Sequence, residues 1–172
     1  MTLLTPRLVI EPPAPQEVFP FVLWLNDPEV VKYSEQRHKI HTAETQLDYW
    51  HSAATVEPNF VYAIRREDSG MPIGSISAEI DPYNNIANVG IMIGDKTQWG
   101  KGYGFEAWEC VCNYLIIEKK IRKIEAGCMS LNAPMIRICT KYGMRHEAIV
   151  QGHFLITPEN SCAMHLYGKL AR

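Results

Sequence analysis

The chain of 172 residues predicts an α/β (α+β) fold: one domain whose single sheet is mixed and mostly antiparallel, with six to seven strands flanked by four helices. Three apolar, alternating runs in the middle of the chain are separated only by tight-turn clusters, which is how an antiparallel meander reads. Runs of helical period lie on both sides of that meander. One glycine-rich loop separates the meander from the next helix, and the chain then closes strand, helix, strand, strand. A domain of this size buries about 70% of the surface its unfolded chain exposes, so it folds without disulfide or metal support.

Leu8 to Glu11 reads as the first strand, and Pro15 to Asn26 as a helix with Val18, Phe21, Val22 and Leu25 on one stripe. Asn26-Asp27-Pro28 ends it. Thr42 supplies a hydroxyl N-cap for a second helix, which runs to about Val56. The meander comprises Phe60 to Ile64, Ile73 to Ile80 and Ala87 to Ile93, joined by turns at Asp68-Ser69-Gly70 and Asp81 to Asn85. A third helix spans Gly104 to Glu118, with Trp108, Val111, Cys112 and Leu115 on its apolar stripe. After a strand from Lys123 to Met129, Asn132 caps a fourth helix with Pro134 in its first turn, and Gly143 stops it. Two last strands, near Arg145 to Ile156 and Cys162 to Leu170, flank a turn at Thr157 to Asn160.

Composition removes several functions. The 17 basic and 19 acidic residues are nearly balanced and form no basic stripe, which argues against nucleic acid as a partner. Five cysteines, odd in number and without a CxxC pair, indicate neither a disulfide framework nor a zinc ribbon and suit a reducing cytoplasm. No charged-then-apolar leader opens the chain, and no apolar run is long enough to span a bilayer, so a membrane is not an expected partner. His38-Lys39-Ile40-His41 is the nearest approach to a metal motif, and a solvated loop accounts for it, so no metal is expected.

Gln98-Trp99-Gly100-Lys101-Gly102-Tyr103-Gly104 carries the chemistry. Alternate glycines let backbone N–H groups converge on an anion, and a helix N-terminus favours negative charge. An empty glycine turn is the plain alternative. A dinucleotide fingerprint also fits the string, since Gly102-x-Gly104-x-x-Ala107 is followed after 18 residues by Glu125. That reading fails on context, because six residues separate the preceding strand from Gly100 and Glu125 lies within a strand rather than at its end. A Walker A loop fails because no Gly-Lys-Ser/Thr occurs here.

The run Ile91 to Ala107, with Lys123-Ile124-x-Ala126-Gly127, Asn132 and Lys141-Tyr142-Gly143-Met144, resembles the GCN5-related N-acetyltransferases (GNAT), and most closely their RimJ/RimL-type branch. The resemblance spans nearly the whole chain and implies the GNAT fold, with acetyl-CoA as co-substrate. It places the pyrophosphate on Gly100, Lys101, Gly102, Tyr103 and Gly104, with Trp99 where the family's motif has Gln or Arg. It pairs the pantetheine arm with the backbone of Met92 and Ile93 and with the side chain of Asn132. Asn132 is also a helix cap, and Lys101 is either a phosphate contact or a solvated lysine.

For the amine's attack on the thioester, the resemblance implies a tyrosine as acid and a glutamate as base. This chain has Cys139 and Asn88 at those positions. Cys139 is open to two readings, catalytic or part of its helix's buried stripe. Asn88 takes no proton but can orient a water or the amine, and Glu79 on the preceding strand is the substitute carboxylate. His146 and His153 are lesser candidates. The segment holding Tyr33, Ser34, Gln36 and Arg37 is expected to wall the acceptor site, receiving either a small polar amine such as an amino sugar (nucleotide) or a peptide N-terminus. Dimers are common in the family. The alternative function is a CoA-binding sensor or partner protein without catalysis.

Overall fold

The computed structural model describes residues 1–56 and 58–171. Along the chain lie β1 (Leu3–Leu4), β2 (Leu8–Glu11), α1 (Val18–Leu25), α2 (Ala43–Thr55), β3 (Phe60–Arg66), β4 (Pro72–Asp81), β5 (Ile86–Ile93), α3 (Tyr103–Ile117), β6 (Lys123–Met129), α4 (Ala133–Lys141), β7 (Arg145–Thr157) and β8 (Asn160–Leu170). The strands form one sheet in the order β1-β2-β3-β4-β5-β6-β8-β7. It has eight strands rather than the expected six to seven. The addition at the N-terminal edge is β1, whose Leu3 and Leu4 pair with Ile10 and Val9. Two residues have no period to read, so only the folded sheet reveals this strand.

β3, β4 and β5 form the antiparallel meander. Among the described residues the one parallel pair joins β5 to β6, and it lasts for three residue pairs only: Ile86 with Lys123, Ala87 with Ile124, Asn88 with Glu125. Both strands then run on, β5 to Ile93 and β6 to Met129, and between them the sheet opens into a gap.

Side chains alternate across a strand, and each face has its own cover. On one face, Ile76, Ala78, Ala87, Val89, Ile124 and Ala126 meet Ala107, Trp108, Val111 and Leu115 of α3. On the other, Val61, Ala63 and Met92 lie under Val18 and Phe21 of α1 and Trp50 of α2. The Phe21 ring stands edge-on to Trp50, with centroids 5.0 Å apart.

The first helix is shorter than its sequence stripe implies. Pro15–Glu17 makes a 3₁₀ turn before α1 begins at Val18, and Pro20 falls in the first turn, where an α-helix needs no N–H. Buried Arg65 holds this junction, donating from Nε to Glu17 Oε1 (2.6 Å) and from Nη1 to Glu11 Oε1 (3.0 Å). Thr42 caps α2 as expected, exchanging hydrogen bonds with Thr45.

Candidate active site

The glycine loop needs its glycines for conformation. Gly100 and Gly102 have φ of +76° and +86°, a region that costs an L-residue about 1–2 kcal/mol. On one flank Asp95 caps the short turn Lys96–Gln98, and buried Gln98 donates to Asp95 Oδ2 and accepts from the Lys101 ammonium (3.1 Å). The Trp99 indole N–H reaches the Ile93 carbonyl at 2.7 Å, tying the loop to the end of β5.

On the other flank stands Arg7. Its Nε donates to Glu106 Oε2 at 2.7 Å, its Nη1 donates to the Lys101 carbonyl at 3.0 Å, and its guanidinium lies 4.5 Å from the Tyr103 ring centroid. Thr5 Oγ1 adds a 2.6 Å bond to Glu106 Oε1. The turn between β1 and β2 thus buttresses the first turn of α3. Nothing in the local sequence announces this, because Arg7 and Glu106 are 99 positions apart.

Burial alone would raise the Glu106 carboxyl. The bonds from Thr5 and Arg7, and the charge of Arg7, outweigh it and hold the group below its ordinary range. A carboxyl lowered on folding contributes stability that is full above its unfolded value of about 4.3 and is lost as pH falls through the folded value. In denaturant titrations between pH 7 and pH 3, Glu106→Gln should therefore lose less stability on acidification than the wild type.

Gly102 is the N-cap of α3, and the first bond into the helix runs from Glu106 N to Gly102 O. Among the described residues, the N–H groups of Gly102, Tyr103, Gly104 and Phe105 have no acceptor in the protein. A Cβ on Gly104 would stand 3.4 Å from Ile138 Cδ1 and 3.6 Å from Ile93 Cγ1, so the first turn of α3 sits where the end of β5 and α4 converge. At the head of the fourth helix, Asn132 Oδ1 accepts from Met135 N at 3.1 Å, which is the cap its position implied.

Beyond the last parallel pair, the α1/α2 side of both strands carries glycine, Gly90 on β5 and Gly127 on β6, and both are exposed. The gap therefore has bare lips on that side. Just before them, in one cross-strand row, stand Glu79, Asn88 and Glu125. A 330 Å³ cavity is lined by Asn59, Glu79, Asp81, Asn88 and Glu125, and a second, of 180 Å³, runs from Asn59 and Glu79 to Tyr49 and Ser52 of α2. The Tyr49 phenol is raised first by burial and then by the Glu79 charge.

Cys139 lies on the other side, fully buried and with its thiol pushed up to about 12, first by burial and then by the Cys128 thiol. Of the lesser candidates, His146 packs at a tilt against the rings of both His165 and Tyr167, and His153 stands edge-on to Phe154 in the last hairpin.

In the α1–α2 connection, Ser34 Oγ accepts from Gln36 N and caps the turn Glu35–His38. Arg37 pairs with Glu35 (2.7 Å) and donates to the carbonyls of Ser34 and Leu155 (3.0 Å each). Its guanidinium thus clamps the segment to β7, near Met129 at the end of β6. The Tyr33 ring lies beside the Lys32 ammonium, 5.2 Å from its centroid.

Residues 7–145 match the family profile described as an acetyltransferase (GNAT) domain. The uncharacterized N-acetyltransferase p20 of Bacillus licheniformis is 23% identical over 155 residues, which is 88% of this chain and 86% of that protein. A GNAT-family acetyltransferase from Bacillus anthracis superposes with a TM-score of 0.85 at 20% identity, covering 99% of both chains. RimL, a ribosomal-protein α-N-acetyltransferase solved with coenzyme A in a disulfide to one of its cysteines, gives 0.87 at 12% identity, covering 99% of this chain and 98% of its own.

Proposed function

The chain belongs to the GNAT acetyltransferases, and from that footing we propose that it moves an acetyl group directly from acetyl-CoA to a primary amine, both substrates being bound together. It is an acyltransferase with acetyl-CoA as donor. The observation that carries the proposal is the set of unpartnered N–H groups from Gly102 to Phe105, at a helix N-terminus beside the end of β5. Backbone donors and the helix dipole there suit the CoA pyrophosphate, with Trp99, Gly100 and Lys101 around it. From that anchor the pantetheine runs down the gap along Met92 and Ile93, taking strand groups that β6 leaves unpaired, and Asn132 meets it from the α4 side.

The thioester then lies near the point where β5 and β6 part, and the amine reaches it between Gly90 and Gly127. The acceptor is a small polar amine, such as an amino sugar or its nucleotide, or a protein N-terminus. RimL's described action on ribosomal proteins supports the latter. Tyr33, Ser34, Gln36 and Arg37 form the outer wall of that entrance. Asn88 orients the nucleophile and Glu79 supplies negative charge behind it.

Cys139 is assigned to packing. Burial, first of all, pushes its thiol up to about 12, well above the ordinary thiol value of about 8.5, which makes it a poor proton donor at neutral pH. Cys139→Ala should leave kcat within about twofold and cost about 1–2 kcal/mol of stability through the small cavity it opens. A kcat loss at unchanged acetyl-CoA affinity would restore the catalytic role.

The proposal as a whole is tested by acetyl-CoA-dependent thiol release over amino sugars, amino sugar nucleotides, polyamines and N-terminal peptides. Turnover on one class is the expected result. Tight acetyl-CoA binding with no turnover on any amine would make the protein a CoA sensor instead.

A further inference from the structure

The row Glu79–Asn88–Glu125 contains a residue the transferase reading has not used. Asn88 and Glu125 are the last parallel pair, so Glu125 stands at the vertex of the gap, across one strand spacing of about 4.8 Å from the position where the family resemblance calls for a base. Glu79 is on β4, one strand farther from the gap. Two residues beyond Glu125 comes the bare lip at Gly127, and two residues before it, on the same face, comes Lys123.

The surroundings of Glu125 are built to hold its carboxylate in place. Lys123 Nζ lies 2.8 Å from Glu125 Oε1 and 2.7 Å from Glu147 Oε2, so one ammonium spans both acids. Glu147 reaches it by a break in pairing: the β7–β8 register shifts between His146 and Ala148, leaving Glu147 as the extra residue. A bulge of this kind re-aims a side chain. The re-aimed carboxylate lies over Gly168 of β8, the residue paired with Glu125, and a Cβ there would collide with it. Bulge, glycine and lysine together fix an acid at the point where the amine must arrive.

We propose, resting on the transferase reading above, that Glu125 is the catalytic residue that binds the incoming ammonium and takes its proton, with Lys123 and Glu147 as positioning residues. The acceptor enters as R–NH₃⁺ and gives one proton to the Glu125 carboxylate. Its freed lone pair forms the C–N bond, the C–S bond breaks, and the second proton passes from nitrogen to the departing sulfur. Glu125 returns its proton to solvent. The charged groups facing this step are Lys123 and Glu147 beside Glu125, and Glu79 and Asp81 across the cavity.

Glu125→Gln should lower kcat/KM for the amine about 100-fold, the usual size of a lost acid–base group, at unchanged acetyl-CoA affinity. Lys123→Met removes the ammonium that spans both acids and should lower kcat/KM for the amine about 10- to 100-fold through misplacement of the carboxylate, at unchanged acetyl-CoA affinity and with Lys123→Arg restoring most of it. Glu147→Gln should lower it less, and a merely structural role would move the melting temperature without moving kcat/KM. Wild-type kcat/KM in Glu125→Gln, or the loss appearing in Glu79→Gln instead, overturns the assignment alone. Absence of turnover by the wild type with every amine, despite acetyl-CoA binding, overturns the transferase reading and this assignment with it.

Discussion

Gly102→Val is expected to weaken acetyl-CoA binding about 1000-fold while the protein stays folded. At φ +86° a β-branched residue is strained, and relief of that strain turns the peptide units on either side away from the anion. Hydrogen bonds to a charged group are worth about 1.5–3 kcal/mol each, so losing two of them costs about 4 kcal/mol, or three powers of ten. The helix survives because Ala107, Trp108, Val111 and Leu115 hold α3 in the core. Calorimetric titration with acetyl-CoA, alongside circular dichroism, reads both halves of this expectation. A folded variant with wild-type affinity would remove the loop from the cofactor site.

Arg65→Leu is expected to cost about 3–5 kcal/mol of stability, the usual price of leaving buried charge without its partner. Arg65 is 8% exposed, and its two carboxylate partners, Glu11 and Glu17, come from β2 and the turn before α1. For a chain of this length that corresponds to a melting temperature lower by ~10 °C. The double variant Arg65→Leu/Glu17→Leu should recover much of the loss, since apolar side chains replace a buried pair at little cost. A single variant that melts within about 2 °C of wild type would show the network to be dispensable.

Much of this molecule was legible because its signals are local. The meander alternates residue by residue between turns of Asp, Asn, Pro and Gly, and Gly100, Gly102, Thr42 and Asn132 each announce a backbone conformation or cap within a few residues. Eight strands were harder to count, because Leu3–Leu4 is too short to show a period and exists through its partner, β2. The candidate site was legible where it is backbone and illegible where it is built by distant pairs. Arg7 meets Lys101 and Glu106 only after the sheet forms. Glu125 was visible only as a poor fit to a dinucleotide fingerprint, and the register that sets it beside Asn88 lies in no local pattern. Cys139 takes its position from the family resemblance, and its full burial favours the packing side of the two readings its sequence left open.

The short parallel pairing of β5 with β6 has a mechanical consequence. The sheet is two plates, β1 to β5 and β6 to β8, welded along a seam of three residue pairs. At the seam the plates share hydrogen bonds, and beyond it they are bridged on one face by α3, which packs across both. A guest in the gap acts as a strut touching both plates at once. Its arrival should slow amide exchange from Val89 to Ile93 and from Ala126 to Met129 together, linking the early and late parts of the chain through a molecule that belongs to neither.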